Sequence, residues 1–230
     1  MGIREHLDIS AYLVIGPENT LGRPIQDVIG AALQAGFTCV QVRSKVASAR
    51  ELIACCDAAA REIARAGRSD DVALLVDDRL DVVLAAREAG IKVDGVHVGQ
   101  KDIPVEVCRR YVGEDGVVGL SARADEMLQY VRTADTSCVD YFGVGPLHPT
   151  KTKPDCGLDA NGDLIVKTLA DITALAAESP VPIVVGGGVK AADIPGLVRT
   201  GAAGFFVVSA VCAAPDPLAA ARELTAAWRG

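Results

Sequence analysis

The sequence predicts a (β/α)8 TIM barrel, an α/β fold, on three observations. Its 230 residues are 50% hydrophobic, enough apolar material for a sizeable core. Eight short runs rich in Val and Ile alternate with alanine-rich helical segments. The runs are continuously apolar, as in parallel strands buried on both faces. A doubly wound sheet is the alternative, but it would not usually need eight equal units. Pro, Gly and Ser are scattered as punctuation and nowhere gathered into a linker, so one domain over residues 1–230 is expected.

The elements follow in order. The first strand is placed at Ala11–Gly16, with a helix over 26–36 that Gly36 closes. The second strand is Cys39–Arg43. Its helix, over 48–66, carries Leu52, Cys55 or Cys56, Ala59 and Ile63 at three- or four-residue spacing, one buried stripe. Gly67 follows it. The third strand is Val72–Asp77, with a helix over 79–90 ended by Gly90. The fourth is Gly95–Gly99 with a helix over 104–112, and the fifth Val117–Ser121 with a helix over 124–134. The sixth, Tyr141–Gly145, precedes a long polar loop and a helix over 159–178. The seventh, Pro182–Gly186, leads to a helix over 191–200 ended by Gly201, and the eighth, Phe205–Ser209, to a helix over 216–228.

Composition excludes several functions. The net charge is −7 and the chain has four Phe, four Tyr and one Trp, so it lacks the basic surface and stacking platforms of a nucleic-acid binder. The first ten residues are polar and of mixed charge, unlike a signal peptide. The longest uncharged segment, Ala202–Pro215, is too short to span a bilayer. Seven cysteines, an odd number with no CxxC pair, read as reduced thiols of a cytoplasmic protein. The expected partners are small molecules, with neither nucleic acid nor membrane; a homo-oligomer is compatible with the sequence.

In a barrel, chemistry sits at the C-terminal ends of the strands. The second strand ends in Gln41, Arg43 and Lys45, which period-two spacing places on one face. Two cations facing a barrel interior call for an anion; the plainer alternative is a surface salt bridge with a neighbouring carboxylate. The third ends in Asp77, Asp78 and Arg79, and the fourth leads to Gly99-Gln100-Lys101-Asp102. Taken alone, Asp78 and Asp102 serve equally as helix caps or as ligands of a hard cation such as Mg2+. Beside Arg43 and Lys45 they describe a metal-assisted diphosphate clamp.

The fifth strand ends at Ser121, near Arg123, where the hydroxyl donates to an oxygen or caps the next helix. The loop 145–155 brings Thr150, Thr152 and Lys153 and reads as an active-site lid. Gly186–Gly188 after the seventh strand and Val208-Ser209 at the end of the eighth suit a monophosphate site. Of the three histidines, His97 lies within a strand and reads as a hydrogen-bonded core residue. The sequence offers no evident nucleophile–base pair, no metal-binding histidine spacing, no P-loop and no GxGxxG fingerprint.

These motifs, taken in order, resemble the thiamine-phosphate synthase (thiamine-phosphate pyrophosphorylase) family from Tyr12 to about Val211. The residues that carry the resemblance are QVRSK (41–45), VDDR (76–79), GVHVGQKD (95–102), GLSAR (119–123), DYFGVGPLHPTKTKPD (140–155), GGGV (186–189) and VVSAV (207–211). PTKTKP is the most specific of them. The resemblance implies a Mg2+-dependent transferase that joins 4-amino-2-methyl-5-pyrimidinylmethyl diphosphate to a thiazole phosphate and releases diphosphate. It implies that Gln41, Arg43, Lys45, Ser121 and Lys153 contact the pyrimidine diphosphate, with Arg43, Lys45, Ser121 and Lys153 catalytic. It implies that Asp78 and Asp102 hold Mg2+. Thr150, Thr152, Gly187, Gly188, Val208 and Ser209 would bind the thiazole phosphate.

Two positions depart from the family pattern. Asp77 stands where the family usually has Asn, so the substrate contact there is a carboxylate that only accepts. Ser44 replaces a frequent acidic residue and should face away from its neighbours. A thiazole tautomerase of the same barrel family is the alternative function. A non-catalytic thiamine-precursor sensor is another, to which Asp77 alone points.

Overall fold

The computed structural model describes residues 2–122, 127–150 and 164–230. Eight parallel strands close into a barrel in sequence order. They are β1 (Ala11–Ile15), β2 (Cys39–Val42), β3 (Ala73–Asp77), β4 (Gly95–Val98), β5 (Val117–Ser121), β6 (Tyr141–Val144), β7 (Ile183–Val185) and β8 (Gly204–Val207). Closure is made where β1 pairs with β8, Leu13 opposite Val207. The expected fold class is the observed one.

Side-chain parity explains why the strands read as unbroken apolar runs. In β1, Tyr12 and Val14 point into the barrel beside Cys39, Leu75, Val117, Tyr141 and Val184. Leu13 and Ile15 point outward to the helices with Val40, Val42, Leu74 and Val76. Both faces are buried, so apolar residues fill most positions on each, and inward polar residues such as Gln41 and His97 occur where they are hydrogen-bonded.

The helices are α1 (Ile25–Ala35), α2 (Ala49–Arg65), α3 (Leu80–Glu88), α4 (Val105–Val112), α5 (Met127–Thr133), α6 (Leu169–Glu178), α7 (Ile194–Val198), α8 (Ser209–Cys212) and α9 (Pro217–Arg229). The α2 stripe buries Leu52, Cys56, Ala59 and Ile63 as its spacing predicts. Gly36, at φ +96°, ends α1 by donating its N–H to the Leu33 carbonyl; only glycine takes this left-handed turn without penalty.

Three expectations are corrected. The helix before β7 does not include residues 164–168: Thr168 caps α6, and the Lys167 N–H donates to the Pro146 carbonyl. The eighth strand stops at Val207, not Ser209, because Ser209 opens the short helix α8. That helix was not expected; four residues show no periodicity. The helix expected over 191–200 is a 3-10 turn (Ala191–Asp193) followed by α7, with Pro195 in its first turn.

Candidate active site

The C-terminal rim gathers charge from adjacent strands. Arg43 follows β2 directly, and its N–H donates to the Ile15 carbonyl. Its side chain turns to β3, where Arg43 Nε lies 3.1 Å from Asp77 Oδ2. Lys45 Nζ lies 3.4 Å from the same oxygen and also pairs with Asp78 Oδ2. Exposure grades outward, with Arg43 and Asp77 side chains 10% and 8% exposed and Lys45 52% exposed. Half-burial works against the Lys45 ammonium, but the hydrogen bond it donates to Asp78 and the charges of Asp77 and Asp78 outweigh it and raise its pKa. Lys45 is therefore a fixed cation at the rim.

Asp78 is held in a left-handed conformation, φ +60°, with its N–H on the His97 carbonyl at 2.7 Å. Aspartate takes this conformation more readily than most non-glycine residues, and here its carboxylate meets Lys45. After β4 the chain turns so that Asp102 Oδ2 accepts from the Gly99 N–H at 2.8 Å. Burial raises the Asp102 pKa, the Gly99 N–H opposes the rise, and the Asp78 carboxyl adds to it. The Asp78 carboxyl acts on Asp102 first by a hydrogen bond and then by its charge, both of which favour a proton on Asp102. Among the described residues no group of three or more His, Cys, Asp or Glu side chains could hold a metal. A pair of carboxylates is enough for Mg2+, which keeps waters and substrate phosphates as its other ligands.

Under the rim the barrel interior holds a polar chain. Gln41 Nε2 donates to the Tyr12 hydroxyl at 2.7 Å, which lies 2.8 Å from the Tyr141 hydroxyl. Tyr141 OH is 3.0 Å from His97 Nδ1, and His97 Nε2 is 3.0 Å from Ser121 Oγ. His97 is a hydrogen-bonded interior residue, as expected. Its contact with Ser121, 3.0 Å from Nε2 to Oγ, was not expected from the sequence. Tyr12 and Tyr141 were not singled out from sequence. The signal was present, because each is a hydroxyl-bearing residue at an inward position of an apolar strand.

On the far side of the mouth, Gly186–Gly188 follow β7, with Gly187 and Gly188 at φ +80° and +74°. A Cβ on Gly187 would overlap Pro146, and one on Gly188 would overlap His148. The glycines therefore let the β6 loop close over them, with the His148 N–H on the Gly187 carbonyl at 2.9 Å. Val208 caps α8 and Ser209 is exposed at its start. Thr150 is half-buried at the end of the described β6 loop. Thr152, Lys153 and Arg123 lie outside the described residues, as does the rest of the expected lid.

Fold and site together define a (β/α)8 barrel with cations and carboxylates converging on one rim, suited to anionic small molecules. Residues 11–211 match the family model described as thiamine monophosphate synthase. The chain belongs to that family. It is 40% identical to the thiamine-phosphate synthase of Chloroflexus aurantiacus over 98% of this chain and 95% of that one. It is 37% identical to that of Corynebacterium efficiens over 94% of each. Among solved structures, thiamine phosphate pyrophosphorylase from Pyrococcus furiosus superposes with a TM-score of 0.74 at 27% identity, covering 99% and 98% of the two chains.

Proposed function

We propose that the chain catalyses the coupling for which its family is named, joining an aminopyrimidinylmethyl diphosphate to a thiazole phosphate to give thiamine phosphate and diphosphate. The observation that carries this reading is the convergence of Arg43, Lys45, Asp77 and Asp78 at adjacent strand ends, with Asp102 after the next strand. The carbon–oxygen bond to diphosphate breaks, and its electron pair leaves with the diphosphate. The aminopyrimidine supports the benzylic-type cation, and the thiazole nitrogen lone pair then forms the new carbon–nitrogen bond. No strong base is required; charge stabilisation and exclusion of water are.

Arg43, Lys45 and Lys153 are assigned to the diphosphate oxygens, and Gln41, Asp77 and Ser121 to the rest of that substrate. Asp78 and Asp102 would hold Mg2+, which when bound supplies further neutralisation of the leaving group. Thr150, Thr152, Gly187, Gly188, Val208 and Ser209 are assigned to the thiazole phosphate. Among the described residues no helix is long and apolar enough to cross a membrane, which agrees with action on small polar substrates.

The test is a coupled assay with both substrates and Mg2+. The expected result is diphosphate and thiamine phosphate in equal amounts, dependent on each substrate and on the metal. Metal-independent isomerisation of the thiazole phosphate with no diphosphate release would instead assign the tautomerase activity. Binding without turnover would assign the sensor.

A further inference from the structure

The hydrogen-bonded chain inside the barrel has a direction. A phenol carries one proton, so Tyr141, buried between Tyr12 and His97, donates to one of them and accepts from the other. The chain begins at an amide that donates, Gln41 Nε2 to Tyr12. Followed from there, Tyr12 donates to Tyr141, Tyr141 donates to His97 Nδ1, and the ring proton of His97 sits on Nε2. That nitrogen then donates to Ser121 Oγ, and the serine proton is left for an acceptor in the mouth.

The packing around the chain is built to hold it. The His97 ring stacks on Tyr141 at 5.5 Å and 30°. Tyr12 meets Tyr141 edge-on at 6.0 Å. Two glycines on neighbouring strands make the space. A Cβ on Gly119 would run into the Tyr141 hydroxyl and His97 Nδ1, and one on Gly143 would lie 3.0 Å from His97 Cε1. Burial drives both phenol pKa values well up, so both keep their protons.

We propose that Tyr12, Tyr141 and His97 are positioning residues: their one-way chain pins His97 as the Nε2–H tautomer and turns Ser121 into a hydrogen-bond donor toward the pyrimidine diphosphate. The inference rests on the reading of Ser121 as a substrate contact. Long-range 1H–15N correlation on histidine-labelled, ligand-free protein, assigned against His97→Gln, reads the tautomer directly. The expected spectrum shows a protonated Nε2 and an unprotonated Nδ1. Tyr141→Phe removes the donor to Nδ1, so the ring should lose its single tautomer. kcat/KM for the pyrimidine diphosphate should fall about tenfold, the scale of one buried hydrogen bond, while KM for the thiazole phosphate holds. Tyr12→Phe breaks the chain one step earlier and should act in the same direction, less strongly.

A wild-type His97 protonated on Nδ1 overturns the proposal, and so does Tyr141→Phe with tautomer and kinetics intact. If Tyr141→Phe does not fold, the wild-type spectrum and Tyr12→Phe decide it. Absence of diphosphate release by the wild type overturns the functional reading and the role of Ser121, yet leaves the tautomer to judge the chain separately.

Discussion

Asp77 places a buried negative charge between the two cations assigned to the leaving group. Its Oδ2 takes both Arg43 Nε and Lys45 Nζ, so it orients them and also competes with a diphosphate for them. Asp77→Asn keeps the shape and one acceptor but removes the charge. The expected outcome is a KM for the pyrimidine diphosphate lowered roughly fivefold, the worth of about one net hydrogen bond, with a small loss of thermal stability. Steady-state kinetics beside a melting curve check it; a raised KM would mean that the contact Asp77 makes with the substrate outweighs its competition for the two cations. The carboxylates at 78 and 102 should behave differently. Asp78→Asn and Asp102→Asn are each expected to lower kcat about a hundredfold, near 3 kcal/mol of transition-state stabilisation. Titration of Mg2+ should show weaker metal binding in each variant, with a higher concentration needed for half-maximal turnover. Near-normal turnover would remove the metal assignment. These rim residues were legible because the strand-end rule names positions without a structure. The Ser121–His97–Tyr141 contacts were not, because they depend on which inward side chains meet across β4, β5 and β6, residues at least 20 apart in sequence.

At the scale of elements, two helices begin with reciprocal caps. Ser48 and Glu51 open α2, and Thr168 and Asp171 open α6. In the second, Asp171 Oδ2 accepts from the Thr168 N–H at 2.8 Å and from its hydroxyl at 2.7 Å. The backbone and then the hydroxyl of Thr168 lower the Asp171 pKa. A carboxylate depressed in the folded state stabilises above its unfolded value, about 4. That stability is lost as pH falls through the lower folded value. Thr168→Ala is therefore expected to cost about 1 kcal/mol. The difference from wild type, read by urea unfolding, should be full at neutral pH and shrink as the acid is protonated. A pH-independent difference would remove Asp171 from the cap. The T-x-x-D pattern marks this start in the sequence, yet the helix was expected over 159–178, a span that takes in the apolar Leu164 and Val166. Those two side chains are exposed, 44% and 41%; hydrophobicity alone does not tell an uncapped approach from a first turn. Strand existence was clearer, since Val72–Val76 is fully buried on both sides and needed no alternation.

Across the whole molecule, acids sit at both ends of the barrel and do opposite work. At the N-terminal end, Asp140 precedes β6 and accepts from Arg4 Nε at 2.7 Å, Arg109 Nη2 at 2.6 Å and the Val118 N–H at 2.7 Å. Arg109 in turn donates to the Gly113 and Gly116 carbonyls at 2.9 and 2.6 Å, ahead of β5. Both side chains of the Arg109–Asp140 pair are 8% exposed. The Asp140 carboxylate is thus taken up by partners within the fold. At the C-terminal end, Asp78 pairs with Lys45 and the exposed Asp102 accepts from the Gly99 N–H; these are the two carboxylates assigned to Mg2+. The two ends should separate cleanly on mutation. Asp140→Ala strands a buried guanidinium, so it should cost about 3–5 kcal/mol and lower Tm by about 10 °C. At 25 °C the remaining folded enzyme should keep its kcat. Asp102→Asn should do the reverse, with Tm moved by no more than about 2 °C, as expected of an exposed position, and turnover largely lost. Differential scanning fluorimetry and the coupled assay on the same two preparations test both halves. If Asp140→Ala lost turnover without losing stability, the division of labour between the two rims would be wrong.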